Sequence, residues 1–175
     1  MNNLIIKQKY SSANTSVNIA KMPRIYSRID PIFWKNKRVF DYGCGNAKTQ
    51  HLLNYYITSK LGHWCGYDLT YAPTTYSKMT EADIIICANT LCVIHEDEIV
   101  QSIINNIVKT NIPFAIQIYE GDKTGIGRAT SADSWQRNTK TKEFLTLFNW
   151  DVPVIVYKGF IIRKADKEIF RKILL

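Results

Sequence analysis

The sequence predicts an α/β domain built on a mostly parallel sheet, with an antiparallel hairpin closing one edge. Three observations carry this. From residue 38 onward, short β-branched or aromatic runs alternate with segments of helical periodicity, the pattern of crossover units. The run at 82–88 (ADIIICA) is almost wholly apolar, as a strand buried on both faces requires. Near the C-terminus, two apolar runs flank Lys158-Gly159, which reads as a hairpin.

A chain of 175 residues has the size of one domain and can bury a core. With 46% hydrophobic and 22% charged residues, it falls outside the disordered class. No apolar run approaches the roughly 20 residues of a membrane helix, and residues 1–16 lack the apolar core of a secretion signal. The expectation is a soluble, cytoplasmic protein without membrane contact.

The elements follow in order. Residues 1–20 are polar and patternless, a loose arm. Residues 21–37 mix aromatics with bases around Pro23 and Pro31. They form either a short helix from Tyr26 onward that packs on the sheet, or a flap over a site. Together 1–37 are an N-terminal arm and flap ahead of a domain over 38–175. A first strand at 38–42 runs into a glycine-rich turn. A helix over 47–60 carries Leu52, Leu53, Tyr56 and Ile57 at helical spacing. A second strand at 64–67 ends at Asp68. After the strand at 82–88, a helix over 96–109 presents Ile99, Val100, Ile103, Ile104, Ile107 and Val108 on one face. Its start is acidic (Glu96, Asp97, Glu98), matching the positive end of the helix dipole. A strand at 114–119 follows, then a helix over 140–148 capped by Thr139 and burying Phe144, Leu145 and Phe148. The hairpin spans 152–157 and 160–163, and a basic amphipathic tail fills 165–175.

Charge is unevenly spread within the net +8. Residues 1–38 hold eight bases and one acid; 39–157 hold nine bases and twelve acids; 158–175 hold six bases and two acids. Basic N- and C-terminal segments suit a nucleic-acid partner, or serve as a solvated surface. The cysteines, Cys44, Cys65, Cys87 and Cys92, form no CxxC pair and have no His at zinc spacing. They read as free, mostly buried thiols, and no metal is expected.

The strongest local signal is Asp41-Tyr42-Gly43-Cys44-Gly45-Asn46 between a strand and a helix. Two glycines allow positive φ and close approach of a ligand to the backbone, and the helix start presents free N–H groups. Gly66-Tyr67-Asp68 then puts an acid at the end of the second strand, where it can accept both ribose hydroxyls of a nucleoside ligand. The dinucleotide fingerprint asks for a third glycine where this chain has Lys48.

The D-x-G-x-G pattern resembles motif I of class I S-adenosylmethionine-dependent methyltransferases, a Rossmann-like family with an antiparallel strand at the sheet edge. The resemblance implies S-adenosyl-L-methionine as cofactor. It assigns Asp41, Tyr42, Gly43, Cys44 and Gly45 to its methionine end, and Asp68, Leu69 and Asn89 to the rest. Asn89-Thr90-Leu91-Cys92-Val93-Ile94 is further similar to a segment of small methyltransferase-like proteins of phages and of DNA phosphorothioation gene neighbourhoods. So are 119–127 and Trp135-Gln136-Arg137-Asn138. The likeness covers roughly residues 38–145. One departure is the shortening between strands two and four of the family pattern. Only 14 residues separate Asp68 from Asp83, so a full helix–strand–helix unit does not fit, and 71–79 reads as a loop with a minimal edge strand.

Methyl transfer is an in-line displacement that mainly needs positioning. Reacting groups belong beyond the carboxyl ends of the parallel strands, which selects Asn89 and Thr90 as catalytic candidates. Asn89 is either such a group or a strand-end turn residue. Base-modifying enzymes often carry [DNS]-P-P-[YFW] there, and this chain lacks the Pro-Pro and the aromatic. Cys92, in an apolar run, reads as a core thiol, and His95 as a capping or solvent-facing side chain. Tyr119 and Glu120 belong to a lid over the site. Gln136 and Asn138 either bind substrate or cap the following helix. The leading expectation is a methyltransferase acting on a nucleic acid or nucleotide. The alternatives are a small-molecule or protein methyltransferase, a non-catalytic S-adenosylmethionine-binding module, and a nicotinamide-dependent enzyme.

Overall fold

The computed structural model describes residues 8–10 and 22–175; the loose arm expected at 1–20 lies almost wholly outside them. The chain is an α/β fold around a six-stranded sheet. Strand β1 (Arg38–Tyr42) leads through helix α2 (Ala47–Thr58) to β2 (His63–Tyr67). A 3-10 stretch, Pro73–Glu81, then carries the chain back to β3 (Ile84–Ala88). Helix α3 (Asp97–Lys109) and strand β4 (Phe114–Gln117) follow. After α4 (Thr141–Leu147), β7 (Val154–Tyr157) and β8 (Phe160–Arg163) form the terminal hairpin. The strand order is β2-β1-β3-β4-β8-β7. β1 to β4 pair in parallel, whereas β8 runs antiparallel to both β4 and β7.

Side-chain alternation along the strands builds two cores, one on each face of the sheet. Phe40, Ile85, Cys87, Phe114, Ile116 and Ile161 point to one face, where α3 and α4 supply Val100, Ile103, Ile104, Ile107 and Phe144. Val39, Ile84, Ile86, Ala115, Phe160 and Ile162 point to the other, against Leu53 and Ile57 of α2. That second core is completed by both ends of the chain. Helix α1 (Arg24–Arg28) and the turn Pro31–Trp34 bury Ile25, Tyr26, Ile29 and Trp34; the tail buries Phe170 and Ile173. The segment read as 21–37 packs on the sheet as a five-residue helix at Arg24–Arg28 rather than one from Tyr26 onward, and its Met22, Pro23 and Arg24 also line a cleft. A boundary at residue 37 therefore divides the sequence but not the core.

Three details differ from expectation. A separate two-stranded hairpin, β5 (Arg128–Ser131) with β6 (Ser134–Gln136), lies where the sequence suggested no element. The stretch 71–79 holds no strand; its only β pairing is the isolated bridge Asp68–Ala72. Thr139 does not cap α4, since its hydroxyl donates to Arg137 O (3.2 Å). Glu120 does that work: its Oε1 accepts from both the N–H and the hydroxyl of Thr141, each at 2.7 Å. The tail, expected only as basic and amphipathic, forms short 3-10 turns, Lys164–Asp166 and Arg171–Ile173. Among the described residues, no helix is long and apolar enough to cross a membrane.

Candidate functional site

The sheet's switch point lies between β1 and β3, because the chain leaves β1 in one direction to β2 and returns to its other side. Such points open a crevice at the carboxyl ends of the strands. Here a cleft of about 550 Å³ lies there, within the range of ligand sites. Its wall includes Asp41, Gly43, Cys44, Gly45 and Asp68 from the first two strand ends. It also includes Asn89 and Thr90 after β3, Gln117 at the end of β4, Tyr119 and Glu120 after it, Arg24 at the start of α1, and Lys158 of the terminal hairpin.

The glycine turn has the conformation its sequence requires. Gly43 and Gly45 have φ of +78° and +75°, which side chains disfavour. A Cβ on Gly43 would meet Thr90 Oγ1 at 2.1 Å. That hydroxyl donates to Tyr42 O at 3.1 Å, which sutures the ends of β1 and β3. The turn N–H groups are spent on the end of β2. Gly43 and Cys44 donate to Tyr67 O (2.7 and 3.0 Å), and Gly45 to Asp68 Oδ2 (3.1 Å). Asp68 Oδ1 accepts from the N–H groups of Thr70 and Tyr71 (2.9 and 3.1 Å). The N–H groups of the glycine turn itself are thus engaged, and beside them this wall offers carboxylate oxygen. At the start of α2, Asn46 caps the helix by accepting from Thr49 N–H at 3.2 Å.

Asp41 is the most unusual group. Only 1% of its surface is exposed. Oδ2 accepts from the Tyr26 hydroxyl at 2.6 Å, whereas Oδ1 is buried with no partner. Burial pushes the carboxyl up to about 7, against the pull of the Tyr26 hydrogen bond and with a push from the charge of Asp68. Burial also lifts the Tyr26 phenol well above its ordinary range. A buried carboxylate oxygen without a partner at a cleft wall has the chemistry to receive a cation.

The other expected site residues divide. Asn89, at φ +60°, lies in the cleft wall and accepts at Oδ1 from Gln117 Nε2 (2.9 Å). Thr90 is also there, with its hydroxyl already donated. Tyr119 stands 60% exposed at the rim. Glu120 lines the cleft while capping α4 and pairing with Lys123 (3.2 Å). Burial raises its carboxyl, but the Thr141 bonds and Lys123 together hold it below its ordinary value. Gln136 and Asn138 do not line the cleft. Gln136 donates to Tyr119 O at 3.1 Å, and Asn138, 2% exposed, donates to Ile126 O at 3.1 Å. Both therefore shape the rim from behind. Tyr42 turns into the core, its ring 5.0 Å from that of Tyr67. Leu69 is half exposed and outside the cleft wall. Cys92 is buried, its thiol pushed up to about 11 mainly by burial. The His95 ring packs edge-on against Trp135, 4.4 Å between centroids.

Three residues were missed by sequence reasoning: Tyr26, Gln117 and Arg24. The one available signal was Gln117, a polar residue between Ile116 and Ile118 in a strand otherwise buried. Among the described residues, no group of three or more His, Cys, Asp or Glu could hold a metal. Compared with known proteins, the chain matches no family model, no curated protein and no solved structure.

Proposed function

We propose that this cleft binds S-adenosyl-L-methionine and that the chain is a methyltransferase acting on a nucleic acid or nucleotide. One observation carries the reading. The unpartnered Oδ1 of Asp41, the glycine turn and the Asp68 carboxylate meet in one crevice at the strand switch point. The donor set fits the cofactor. Asp41 would hold its ammonium, a cation suited to a buried carboxylate. Asp68 retains one acceptor site, on Oδ2, for a ribose hydroxyl: of the two lone-pair sites on each carboxylate oxygen, Oδ1 has both taken by main-chain N–H groups and Oδ2 one. When bound, the cofactor supplies an electrophilic methyl on a cationic sulfur. The chain's part is to orient the acceptor from the Asn89 and Tyr119 side and to exclude water. A general base is needed only if the acceptor must lose a proton early. The cytoplasmic placement and the likeness to phage proteins belong to the same reading.

Nucleic acid as acceptor is supported by the basic chain ends, of which Arg24 and Lys158 reach the cleft wall. The test is calorimetry with S-adenosylhomocysteine and with NAD, followed by tritiated-methyl transfer to DNA, RNA, protein and metabolite pools. Binding of the former alone, with label entering DNA or RNA, is expected. NAD binding without S-adenosylhomocysteine binding would sink the reading. A second reading, cofactor binding without turnover, is favoured by the shortened crossover. The 3-10 stretch there leaves Leu69 and Tyr71 50% and 40% exposed, a thin wall for an adenine. It predicts binding with no labelled product in any pool.

A further inference from the structure

We infer that Asn89 presents a hydrogen-bond donor to the acceptor base, with Gln117 fixing that polarity, so that the cleft selects a base carrying a carbonyl over one carrying an amino group. This rests on the reading of the cleft as a site for a base-bearing acceptor. The argument begins with a main-chain N–H, which can only donate. Ile25 N–H donates to Gln117 Oε1 at 2.8 Å. The Gln117 amide is thereby oriented, and its Nε2 must face the other way. It donates to Asn89 Oδ1 at 2.9 Å. With Oδ1 engaged, Nδ2 is the Asn89 atom left for the cleft.

The backbone fixes the Asn89 side chain as firmly as the amide relay does. Asn89 sits in the left-handed region at φ +60°, which Asn tolerates better than most residues. Its N–H donates to Gln117 O at 2.8 Å and its carbonyl accepts from Cys92 Sγ at 3.2 Å. The same side of the cleft carries further donors. Arg24 donates to Lys158 O at 3.1 Å and stacks on Phe160, with no carboxylate partner among the described residues. The β1 side, by contrast, offers the carboxylates of Asp41 and Asp68. An exocyclic amine facing Asn89 would set donor against donor. A keto oxygen there would accept.

The probes are two matched pairs, inosine against adenosine 5′-monophosphate and uridine against cytidine 5′-monophosphate, titrated into the full chain by calorimetry. Each pair differs chiefly in a carbonyl or an amino group at one ring position. The keto member of each pair is expected to bind about tenfold more tightly, the scale of one hydrogen bond made or opposed. Gln117→Glu keeps an acceptor for Ile25 but turns a carboxylate oxygen to Asn89, which flips the Asn89 amide. Asn89→Asp keeps the Gln117 bond and places a carboxylate oxygen in the cleft. Both variants are expected to reverse the preference, a change that loss of packing alone would not produce. Preference for the amino member, equal binding within each pair, no binding of any of the four, or an unchanged preference in both folded variants would overturn the inference. S-adenosylhomocysteine titrated into the same samples reports separately on the cofactor reading.

Discussion

Asp41 ties pH to folding and, if the proposed cofactor binds there, to binding as well. In the unfolded chain this carboxyl ionises near 3.8, in the folded protein near 7. Between those values the folded state holds the extra proton, so stability falls as pH rises through the window and levels off above about 7. The span amounts to roughly 4 kcal/mol at most. Asp41→Asn is expected to flatten this slope between pH 4 and 7, as read by urea unfolding at each pH. A cationic ligand at Oδ1 favours the ionised form, so S-adenosylhomocysteine binding should tighten by up to about tenfold for each unit that the pH rises toward 7, and level off above it. Calorimetry in buffers of different ionisation heat would register the released proton, and the Asn variant should lose it. At Gly43, a methyl group meets both the φ of +78° and Thr90. Gly43→Ala should cost about 1–3 kcal/mol from the backbone alone, with weaker ligand binding. Wild-type stability and affinity in that variant would refute the packing described for the turn.

Among the elements, α4 depends on a residue outside it. Glu120→Ala should remove about 1 kcal/mol of stability by uncapping Thr141, and Glu120→Gln, which keeps an acceptor, should restore most of it. Equal losses in the two variants would mean that the pairing with Lys123, not the cap, is what matters. The regular elements were legible because their periodicities are local. The β-branched and aromatic run at 38–42 and the face of α3 follow directly from the local sequence. The hairpin β5–β6 was not, since all four residues of β5 are exposed and carry no apolar alternation. The cap of α4 was misassigned to Thr139 for a similar reason: an adjacent hydroxyl is visible in a sequence, whereas a carboxylate 21 positions away is not. In the cleft, the glycine turn and Asp68 were readable as one strand–turn–helix–strand unit. Tyr26 and Gln117 were not, because α1 meets β1 and β4 only through tertiary packing.

For the whole molecule, residues 25–34 and the C-terminal tail close the same core on the sheet's second face. Phe170, fully buried there, should cost about 3–5 kcal/mol on replacement by Ala, measurable by urea unfolding. A loss below about 1 kcal/mol would show that the tail contributes little to that core. The basic surface makes a separate expectation at this scale: affinity for DNA or RNA should fall steeply between 50 and 200 mM salt, as followed by fluorescence anisotropy of a labelled oligonucleotide. The contact between Tyr26 and Asp41 has an optical corollary. The Tyr26 ring stacks on Trp34 at 5.9 Å and 25° while its hydroxyl holds the cleft carboxylate. A natural fluorophore therefore sits one side chain away from the cation position, and filling that position should alter indole emission without any added dye.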